Sequence, residues 1–347
     1  MGALAIQDIK LYQYRLPLKK ILRIRNRRLK FREGLILELI ADNGLSGFGE
    51  VAPLPGLSQE SLQEAKEQIK HWIKSPHKHI PVTQASLFPS VRFGLEMAAS
   101  DLPSIHGEQL FSMKKISVSG LLDSEEKDIS HLAKLMVQNG FRSLKLKVGR
   151  RPVEKEIKIV RQLEHILRHK ATLRLDANQS WDIKTAIHFT DSIDKALIDY
   201  IEEPLQNIRG LAEFYNKTNV PVALDESLQK FNVQQLLAIP GLKAVVLKPT
   251  VLGGFSGTLA LIKKARAKGI APVISSSFES SLGVIAILNF AALHLNPCLP
   301  AGIDTLKWFK NDLLIKPLSF NKPVLKISDI KQLKTAVNFD LLKPIPL

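Results

Sequence analysis

The pattern of apolar and polar positions divides the chain into two parts. In the first part, residues 34–52 alternate like two strands joined by a turn at residues 42–44. Apolar residues with helical spacing follow in residues 58–74 and 89–102, so an α+β unit is expected. From about residue 113 onward, short apolar strands alternate with amphipathic helices, which is typical of repeated βα units.

The second part contains eight candidate strands. They are KISVSG (115–120), SLKLKV (143–148), TLRLDA (172–177), DYIEEP (199–204), PVALDE (221–226), AVVLKP (244–249), PVISSS (272–277) and AGIDT (301–305). Repeated βα units of this number predict an α/β fold of the TIM type, a (β/α) barrel. A doubly wound parallel sheet is the alternative fold, but the glycine cluster at 252–257 has the wrong spacing for a dinucleotide-binding loop.

We therefore expect three sections along the chain. Residues 1–108 are predicted to form an N-terminal α+β capping domain, and residues 109–305 to form the (β/α) barrel as the catalytic domain. Residues 306–347 contain no further βα unit, and this C-terminal segment is expected to pack back on the cap and complete it.

The composition is that of an ordinary globular enzyme, with 45% hydrophobic and 24% charged residues among 347. No stretch approaches the roughly 18 apolar residues of a membrane span. The longest candidate, residues 282–295, contains Asn289 and His294 and is interpreted as a buried helix. The N-terminus lacks the layout of a signal peptide, so we expect a cytoplasmic protein with no membrane partner. Cys298 is the only cysteine, which excludes an internal disulfide and a thiolate metal cluster.

The net charge of +16 raises the question of an anionic partner. Residues 19–32, KKILRIRNRRLKFR, hold eight Lys or Arg residues in fourteen positions. A solvated basic loop is the simplest interpretation, and a nucleic-acid-binding protein is a remote alternative. No helix-turn-helix, zinc-finger or RNA-binding aromatic signature accompanies this basic segment, so we expect no nucleic-acid partner.

Three consecutive candidate strands end in carboxylates. Asp176, Glu202 with its neighbour Glu203, and Asp225 are separated by 26 and 23 residues, about one βα unit each. The carboxyl ends of barrel strands share one rim, so these acids are expected to converge there. Converging carboxylates repel one another unless a cation lies between them. Oxygen ligands with no His or Cys nearby favour Mg²⁺, or Mn²⁺, as that cation.

Lysines end the strands on either side of these acids. In SLKLKVG (143–149), strand alternation places Lys145 and Lys147 on one face and apolar residues on the other, and Lys248 ends the strand after the acids. Surface lysines at a strand edge are the alternative interpretation. A neighbouring ammonium group and a bound Mg²⁺ both lower the pKa of a lysine, which makes Lys147 a candidate base. A lysine base beside Mg²⁺ suits removal of a proton α to a carboxylate, because the metal stabilises the resulting enediolate.

These strand-end motifs resemble those of a known group of enzymes. LKLKVG, LRLDAN, IEEPL, ALDESL and VVLKPT are similar to the barrel motifs of the enolase superfamily, in its muconate-lactonizing subgroup. A narrower resemblance, to the o-succinylbenzoate synthase family, rests on RNRRLKFREGLIL (25–37), GFGEVAPLPGLSQESL (47–62), SVRFG (90–94), VISSSFESSLG (273–283) and GIDTL (302–306). These stretches lie in both domains, so the resemblance spans nearly the whole chain.

The resemblance implies a dehydration in menaquinone biosynthesis, from 2-succinyl-6-hydroxy-2,4-cyclohexadiene-1-carboxylate to 2-succinylbenzoate. It implies that Lys147 removes the α-proton and, once protonated, assists the departure of hydroxide on the same face. Lys248 would stabilise the enediolate from the opposite face, and Lys145 would contact the ring carboxylate and tune Lys147. The implied Mg²⁺ ligands are Asp176, Glu202 and Asp225. Alternation along the strand does not by itself choose between Glu202 and Glu203; the family pattern favours Glu202.

The resemblance also implies residues that hold the substrate. Ser275 is expected to bind the succinyl carboxylate, with Ser277 as a second contact. Asn178 is expected to reach the substrate from the strand end of Asp176, or to act as a cap. Because the implied substrate is a small-molecule dianion, a loop at 19–32 is expected to cover the barrel mouth, attract the substrate and exclude water.

Two other functions stay open from the sequence. N-acylamino acid racemases and dipeptide epimerases resemble the same barrel, and lysines on both faces, here Lys147 and Lys248, would serve their proton exchange too. A nucleic-acid-binding protein is suggested by the net charge alone, and it leaves the rim carboxylates unexplained. The sequence does not determine the oligomeric state.

Overall fold

The computed structural model describes residues 6–74, 86–102, 113–123, 128–295, 299–333 and 337–347, without the side chains of 331–333. The predicted domain boundary at 108/109 and Cys298 lie outside this part of the chain.

The described residues form thirteen strands and ten α-helices. The strands are β1 (Ile6–Ile24), β2 (Arg27–Ala41), β3 (Ser46–Val51), β4 (Lys115–Ser117), β5 (Gly120–Asp123), β6 (Ser143–Lys147), β7 (Thr172–Asp176), β8 (Ile198–Glu202), β9 (Val222–Leu224), β10 (Leu242–Leu247), β11 (Ala271–Ile274), β12 (Val324–Lys326) and β13 (Leu342–Pro344). The helices are α1 (Leu62–Lys74), α2 (Pro89–Asp101), α3 (Ile129–Gln138), α4 (Val153–Leu167), α5 (Ile183–Asp191), α6 (Leu211–Thr218), α7 (Val233–Leu236), α8 (Gly254–Arg266), α9 (Ser281–His294) and α10 (Ile327–Leu333).

The N-terminal domain is an antiparallel sheet in the order β13-β1-β2-β3, with α1 and α2 packed against it. β2 and β3 pair around the turn predicted at residues 42–44, and both predicted helices are present. The sheet and α2 approach so closely that a Cβ atom at Gly49 would lie 1.9 Å from the carbonyl oxygen of Gly94. Glycine at position 49 therefore permits this packing, and the α+β prediction for the cap is confirmed.

The second domain is a parallel sheet of seven strands, β5 to β11, in sequential order. Residues 301–302 close this sheet, since Ala301 bridges to Val118 and Gly302 bridges to Ser275 at the end of β11. The eighth candidate strand therefore takes its predicted place in shortened form. The prediction of a TIM-type barrel is confirmed.

The first candidate barrel strand was misplaced by the sequence pattern. KISVSG (115–120) does not form one strand, because β4 pairs antiparallel with β12 outside the barrel. The barrel strand is β5, which pairs with β6. The apolar run continues through residues 121–122, and its two halves find backbone partners in different sheets.

Strand alternation separates the barrel interior from the layer of helices. Leu144, Leu146 and Val148 are buried in the main hydrophobic core together with residues of the surrounding helices. Lys145 and Lys147, at the intervening positions, line the cavity inside the barrel mouth. The sequence pattern thus predicts correctly which face of β6 carries the lysines.

The C-terminal segment packs on both domains, and not on the cap alone. β13 completes the cap sheet by pairing with β1, whereas β12 pairs with β4 and α10 contacts α9. α9 is buried along nearly its whole length, as predicted for residues 282–295. Within the described ranges, no helix has the length and apolar character needed to cross a membrane.

Candidate active site

The strand register aligns ionisable residues at one level of the barrel. Lys147, the last residue of β6, pairs with Asp176 at the end of β7, and Asp176 pairs with Glu202 at the end of β8. Asp225 and Lys248 directly follow β9 and β10. Parallel strands therefore bring these five side chains to the same rim, as their spacing in the sequence predicts.

The Lys145 ammonium group joins two of the three acids. Its Nζ lies 2.9 Å from Asp176 Oδ2, and it donates to both carboxylate oxygens of Glu202 at 2.9 and 2.7 Å. Burial lowers the pKa of Lys145, but the carboxylates of Asp176 and Glu202 outweigh burial and hold that pKa well above its ordinary value. Lys145 is therefore charged at neutral pH and is unsuited to act as a base.

Lys147 has the opposite electrostatic setting. Its Nζ donates to Asp176 Oδ2 at 3.3 Å and to Asn178 Oδ1 at 3.1 Å. Burial lowers the pKa of Lys147, Asp176 opposes this, and the positive charges of Arg150 and Lys145 lower the pKa further. The predicted direction of the pKa shift is confirmed. Burial is its main cause, however, and Arg150 was not singled out from the sequence.

Lys248 stands on the other side of the acidic residues. Its ammonium group contacts Asp225 Oδ2 directly. Burial lowers the pKa of Lys248, but Asp225 and then Glu226 outweigh burial and raise that pKa above its ordinary value. Lys147 and Lys248 thus occupy comparable strand ends but differ in proton affinity.

Two adjacent cavities lie over these side chains. The inner one has a volume of about 60 Å³ and is lined by Lys145 and Ser275, among others. The outer one, of about 350 Å³, is lined by the tip of the β1–β2 hairpin and by the loops after β6 and β7. Lys147, Lys248 and Phe278 line both cavities. The two lysines therefore face the same space, as two groups acting on one substrate must.

The serine residues after β11 are placed differently from one another. Ser275 lines the inner cavity, and its Oγ donates to the carbonyl oxygen of Gly302 at 2.8 Å. Ser276 also lines that cavity and shares a hydrogen bond of 2.8 Å with the Thr305 hydroxyl. Ser277 is only 1% exposed and is not among the residues lining either cavity. The structure therefore brings Ser275 into the site but leaves Ser277 behind it.

The neighbouring acids Glu202 and Glu203 point in different directions. Glu202 faces Lys145, whereas the carboxylate of Glu203 accepts hydrogen bonds of 2.8 Å from the backbone N–H groups of Asp225 and Ser227. Glu203 has a φ of 45°, in the left-handed region, which ends the strand alternation just after β8. Glu203 thus supports the next rim segment, and Glu202 is the acid inside the barrel.

Two further acids of the site were missed by sequence reasoning. Glu226 lines the outer cavity, and burial together with the negative charge of Asp225 raises the pKa of Glu226 to about 7. Asp304 lines the inner cavity and accepts a hydrogen bond from Lys307 Nζ at 2.7 Å. Both lie at or near the ends of candidate strands, so position at a strand end was the available signal. In the structure Glu226 begins a 3-10 helix and Asp304 lies in a turn, where strand alternation no longer applies.

The basic segment at 19–32 forms a β-hairpin, and the prediction of a loop there is wrong. It comprises the end of β1, a turn at 25–26 and the start of β2. Residues 22–25 line the outer cavity, so the hairpin lies over the barrel mouth. Lys20 Nζ lies 3.1 Å from Asp123 Oδ2 at the end of β5, and this ion pair joins the hairpin to the barrel.

The donor set at the rim suits a hard divalent cation. Asp176, Glu202 and Asp225 are each at most 3% exposed, and the described residues offer no His or Cys beside them. Within the described ranges, no three such side chains converge as a ready metal-binding group. The ammonium groups of Lys145 and Lys248 instead contact all three acids. Three buried carboxylates therefore fit a cation, with the lysines compensating their charge in this structure.

Comparisons with known families agree with these features of fold and site. The model described as "MenC, N-terminal domain" matches residues 6–102, and the model described as "Enolase C-terminal domain-like" matches residues 128–331. Together they cover β1 to β3 of the cap and most of the barrel, including every barrel strand end described above except that of β5.

Characterised relatives match over most of the chain. The o-succinylbenzoate synthase of Pasteurella multocida is 34% identical over 311 residues, which span 87% of this chain and 90% of that protein. Protein PHYLLO of Arabidopsis thaliana, a chloroplastic protein, is 32% identical over 84% of this chain, but the match spans only 20% of its own length.

Solved structures share the fold. An L-Ala-D/L-Glu epimerase from Bacillus subtilis superposes with a TM-score of 0.80 at 22% identity, covering 92% of this chain and 96% of the other. An o-succinylbenzoate synthase from Thermosynechococcus elongatus BP-1, complexed with Mg in its active site, gives a TM-score of 0.73 at 24% identity over 89% and 96% of the two chains. By its fold, its matched domains and its relatives, the chain belongs to the o-succinylbenzoate synthase family of the enolase superfamily.

Proposed function

We propose that the protein dehydrates 2-succinyl-6-hydroxy-2,4-cyclohexadiene-1-carboxylate to 2-succinylbenzoate, a step of menaquinone biosynthesis. The enzyme is then a carbon–oxygen lyase. The observation that carries the proposal is the placement of Lys147 and Lys248 on one cavity, beside three buried carboxylates. The relatives at 34–35% identity over about 85% of the chain support this reaction over others of the superfamily.

Lys147 performs both proton transfers in the proposed mechanism. As a neutral amine, it takes the proton from the ring carbon that bears the carboxylate, and the C–H electron pair is delocalised into that carboxylate as the enediolate. These electrons then form the new ring double bond as the C–O bond breaks, and the proton on Lys147 goes to the departing hydroxide to give water. The ring becomes aromatic and Lys147 is neutral again. The lowered pKa of Lys147 favours the form that begins this cycle.

Lys248 and Lys145 act in the proposal as fixed positive charges. Both have a pKa above the ordinary value, so each stays protonated while Lys147 exchanges its proton. Lys248 stabilises the developing negative charge from the opposite face of the substrate. Lys145 contacts the ring carboxylate. Fixed charges inside a water-excluded cavity are effective because they need no reorganisation during the reaction.

Mg²⁺, or Mn²⁺, is the proposed cofactor, held by Asp176, Glu202 and Asp225. When bound, the ion supplies positive charge that stabilises the enediolate form of the substrate carboxylate. Each of these acids lies at the end of its own strand or directly after it, so the barrel fixes the spacing of the groups that would hold the ion.

The substrate is a small dianion, and the cavity walls offer groups for both of its carboxylates. Ser275 is the proposed partner of the succinyl carboxylate, and Asn178 borders the ring-binding region. Arg23, Arg25 and Arg150 line the outer cavity and give it positive charge. Such a lining attracts an anion and orients it as it enters.

The test is an assay of the purified protein with the cyclohexadienyl substrate and Mg²⁺. We expect loss of the cyclohexadiene absorbance with formation of 2-succinylbenzoate, abolition by EDTA and recovery with added Mg²⁺. The rival activity is racemisation or epimerisation, because Lys147 and Lys248 on one cavity also suit proton exchange on both faces. N-succinyl amino acids and dipeptides in D₂O provide the parallel arm. Deuterium exchange there, without dehydration of the cyclohexadienyl compound, would overturn the proposal.

A further inference from the structure

The amide of Asn178 lies between the proposed base and an acid that the mechanism does not use. Its Oδ1 accepts a hydrogen bond from Lys147 Nζ at 3.1 Å. Its Nδ2 donates to Glu226 Oε1 at 2.9 Å. A chain of two hydrogen bonds therefore connects Glu226 to Lys147 through one side-chain amide.

Glu226 determines which way this amide faces. The Glu226 Oε1 atom accepts from the NH₂ group of Asn178, and this contact holds the NH₂ group towards Glu226 and the carbonyl oxygen towards Lys147. The reversed amide would set its carbonyl oxygen against the Glu226 oxygen, and its NH₂ group would occupy the lone pair of the neutral Lys147 amine. The orientation of the amide thus follows from the acid behind it.

The backbone at Asn178 is held in an uncommon conformation. Asn178 and Gln179 have φ values of 46° and 61°, both in the left-handed region. Such residues persist where surrounding contacts fix them, and they cluster at functional sites. Here Gln179 N donates to the carbonyl oxygen of Glu203 at 2.7 Å, and Asn178 N donates to Asp176 Oδ1 at 3.2 Å. The loop after β7 is therefore fixed on both sides of the amide.

Glu226 also has unused hydrogen-bonding capacity. It is 7% exposed and lines the outer cavity together with Lys147, Asn178 and Lys248. Its second oxygen, Oε2, is buried and has no hydrogen-bond partner among the described residues. Among the described residues, this buried acid makes one side-chain hydrogen bond, to Asn178, which points to a role in the site.

The contacts of Lys147 show what the chain of hydrogen bonds achieves. A neutral lysine amine has two N–H groups and one lone pair. Its two nearest acceptors are Asp176 Oδ2 at 3.3 Å and Asn178 Oδ1 at 3.1 Å. When the two N–H groups point at these acceptors, the remaining tetrahedral position carries the lone pair, and later the transferred proton. Lys147 lines both cavities, so its amine borders the substrate space.

We propose that Glu226 is a positioning residue: it orients the Asn178 amide, which in turn aims the Lys147 amine at the substrate carbon. This inference rests on the proposed dehydration for the identity of the base. It assigns Glu226 no direct contact with the substrate.

The test compares Glu226→Ala, Glu226→Gln and Asn178→Ala in the full chain with Mg²⁺. We expect Glu226→Ala to lower kcat about 10- to 100-fold with little change in KM, since misplacement of a catalytic group by about 1 Å costs up to about 100-fold. The primary isotope effect on kcat, with deuterium on the carbon that loses its proton, should rise. Glu226→Gln should restore kcat to within about threefold, because the glutamine carbonyl still accepts from Asn178.

Two controls separate positioning from loss of fold or metal. Glu213→Ala, at an exposed acid of α6 that pairs with Lys217, should match the parent in kcat and isotope effect. The Mg²⁺ concentration for half-maximal activity should be the same in all Glu226 variants. The double variant Asn178→Ala/Glu226→Ala should be no slower than Asn178→Ala alone, because both changes break one chain. Additive losses, an unchanged kcat in Glu226→Ala, or a loss confined to KM would each overturn the proposal.

A readout independent of turnover distinguishes this proposal from the proposed function. The ¹³Cε signal of Lys147 in lysine-labelled protein can be assigned by its absence in Lys147→Arg. It should shift in Glu226→Ala and stay near the parent position in Glu226→Gln. If the parent protein lacks dehydratase activity but this pattern holds, the proposed reaction is wrong and the positioning role stands. An unshifted signal in Glu226→Ala overturns the positioning role.

Discussion

Two groups of buried charge stabilise this molecule in different ways. The mouth cluster consists of Asp176, Glu202 and Asp225 together with Lys145, Lys147 and Lys248, whose ammonium groups contact these carboxylates. The seam cluster lies where the cap meets the barrel and consists of Glu50, Glu279 and Arg32, with 0%, 0% and 1% exposure. Both groups are removed from water, but their partners are of different kinds.

The partners in the seam cluster are mainly backbone groups and hydroxyls. Glu50 of β3 accepts hydrogen bonds from the N–H and hydroxyl of Ser280 at 2.9 and 2.7 Å, from Gly283 N at 2.9 Å and from the Tyr14 hydroxyl at 2.5 Å. These donors lie at the first turn of α9, where a negative charge also interacts favourably with the helix dipole. Glu50 of the N-terminal sheet thus satisfies the N-terminus of α9 in the barrel, and this contact fixes the two domains to each other.

Arg32 is a buried positive charge that is likewise stabilised by backbone groups. Its guanidinium donates to the carbonyl oxygens of Phe278 at 3.1 Å, Pro53 at 2.8 Å and also Ala52. These carbonyls belong to the barrel and to the loop after β3. The arginine therefore ties three segments together, and among the described residues it makes no direct ion pair.

The two clusters differ in how readily their charged groups can change partners. Lysine ammonium groups sit on flexible side chains and exchange partners when a substrate or a cation arrives. Backbone dipoles keep their direction as long as the fold persists. Charge in the mouth cluster can therefore change partners when the site is filled, before the reaction begins, whereas charge in the seam cluster serves the fold. Substitutions in the first should change chemistry, and substitutions in the second should change stability.

The largest expected effect is the loss of the base in the mouth cluster. Lys147→Ala should reduce kcat about 1000-fold or more, since general acid–base catalysis contributes about 10²- to 10⁴-fold per group and Lys147 serves in both directions. The melting temperature and Mg²⁺ affinity should stay near those of the parent. Lys155→Ala, an exposed lysine of α4, is the control. Substantial turnover in Lys147→Ala would show that another group is the base.

The adjacent acids Glu202 and Glu203 allow the assignment of the metal ligand to be tested at two neighbouring positions. Glu202→Gln should weaken Mg²⁺ binding about 100-fold or more, and Glu203→Gln about 10-fold at most, because Glu203 only supports the segment that carries Asp225. Isothermal titration of the two variants with Mg²⁺ measures the difference. Equal losses, or a larger loss in Glu203→Gln, would contradict the assignment of Glu202 as the ligand.

The sequence predicts residues of the mouth cluster well, for a reason that lies in β geometry. Strand alternation and one βα unit between strand ends determine that Lys147, Asp176 and Glu202 share a level and a face. The same rule fails one residue past the strand. Glu203 turns away at a φ of 45°, and Glu226 enters the site from the first residue of a 3-10 helix. Side-chain directions in turns depend on local backbone angles that no periodicity encodes.

The sequence predicts the seam cluster poorly, because its partners are distant backbone groups. Residues 19–32 contain so many basic residues that they suggest a solvated loop, although Leu22 and Leu29 pair across the hairpin. Nothing local to Arg32 indicates that the carbonyls of Phe278 and Pro53 surround it. Ser277 illustrates the same limit: it belongs to a run of three serines, and only tertiary packing buries it behind the site.

Breaking the seam cluster should destabilise the protein and leave chemistry largely intact. Glu50→Ala should lower the free energy of unfolding by about 2 kcal/mol, because it leaves buried donors of Ser280, Gly283 and Tyr14 unpaired. Urea denaturation followed by circular dichroism measures this. Glu33→Ala, which removes an exposed ion pair with Arg15, should change stability by less than about 0.5 kcal/mol. If the Glu50→Ala protein were as stable as the parent, the seam cluster would not stabilise the fold.

The smallest expected effect concerns two arginines of one basic segment, which the structure places in different surroundings. Arg25 lies at the hairpin tip and lines the outer cavity, whereas Arg32 is buried in the seam. Arg25→Gln should raise KM for the dianionic substrate about threefold at low salt and weaken the dependence of kcat/KM on ionic strength, with stability unchanged. Steady-state kinetics between low and physiological salt measures both effects. Arg32→Gln is the matched variant, and it should instead lower the denaturation midpoint, since glutamine cannot reach all the carbonyls that the guanidinium joins. If Arg25→Gln left the dependence of kcat/KM on ionic strength unchanged, the charge of Arg25 would not attract the substrate. The hairpin would then cover the barrel mouth without this electrostatic role.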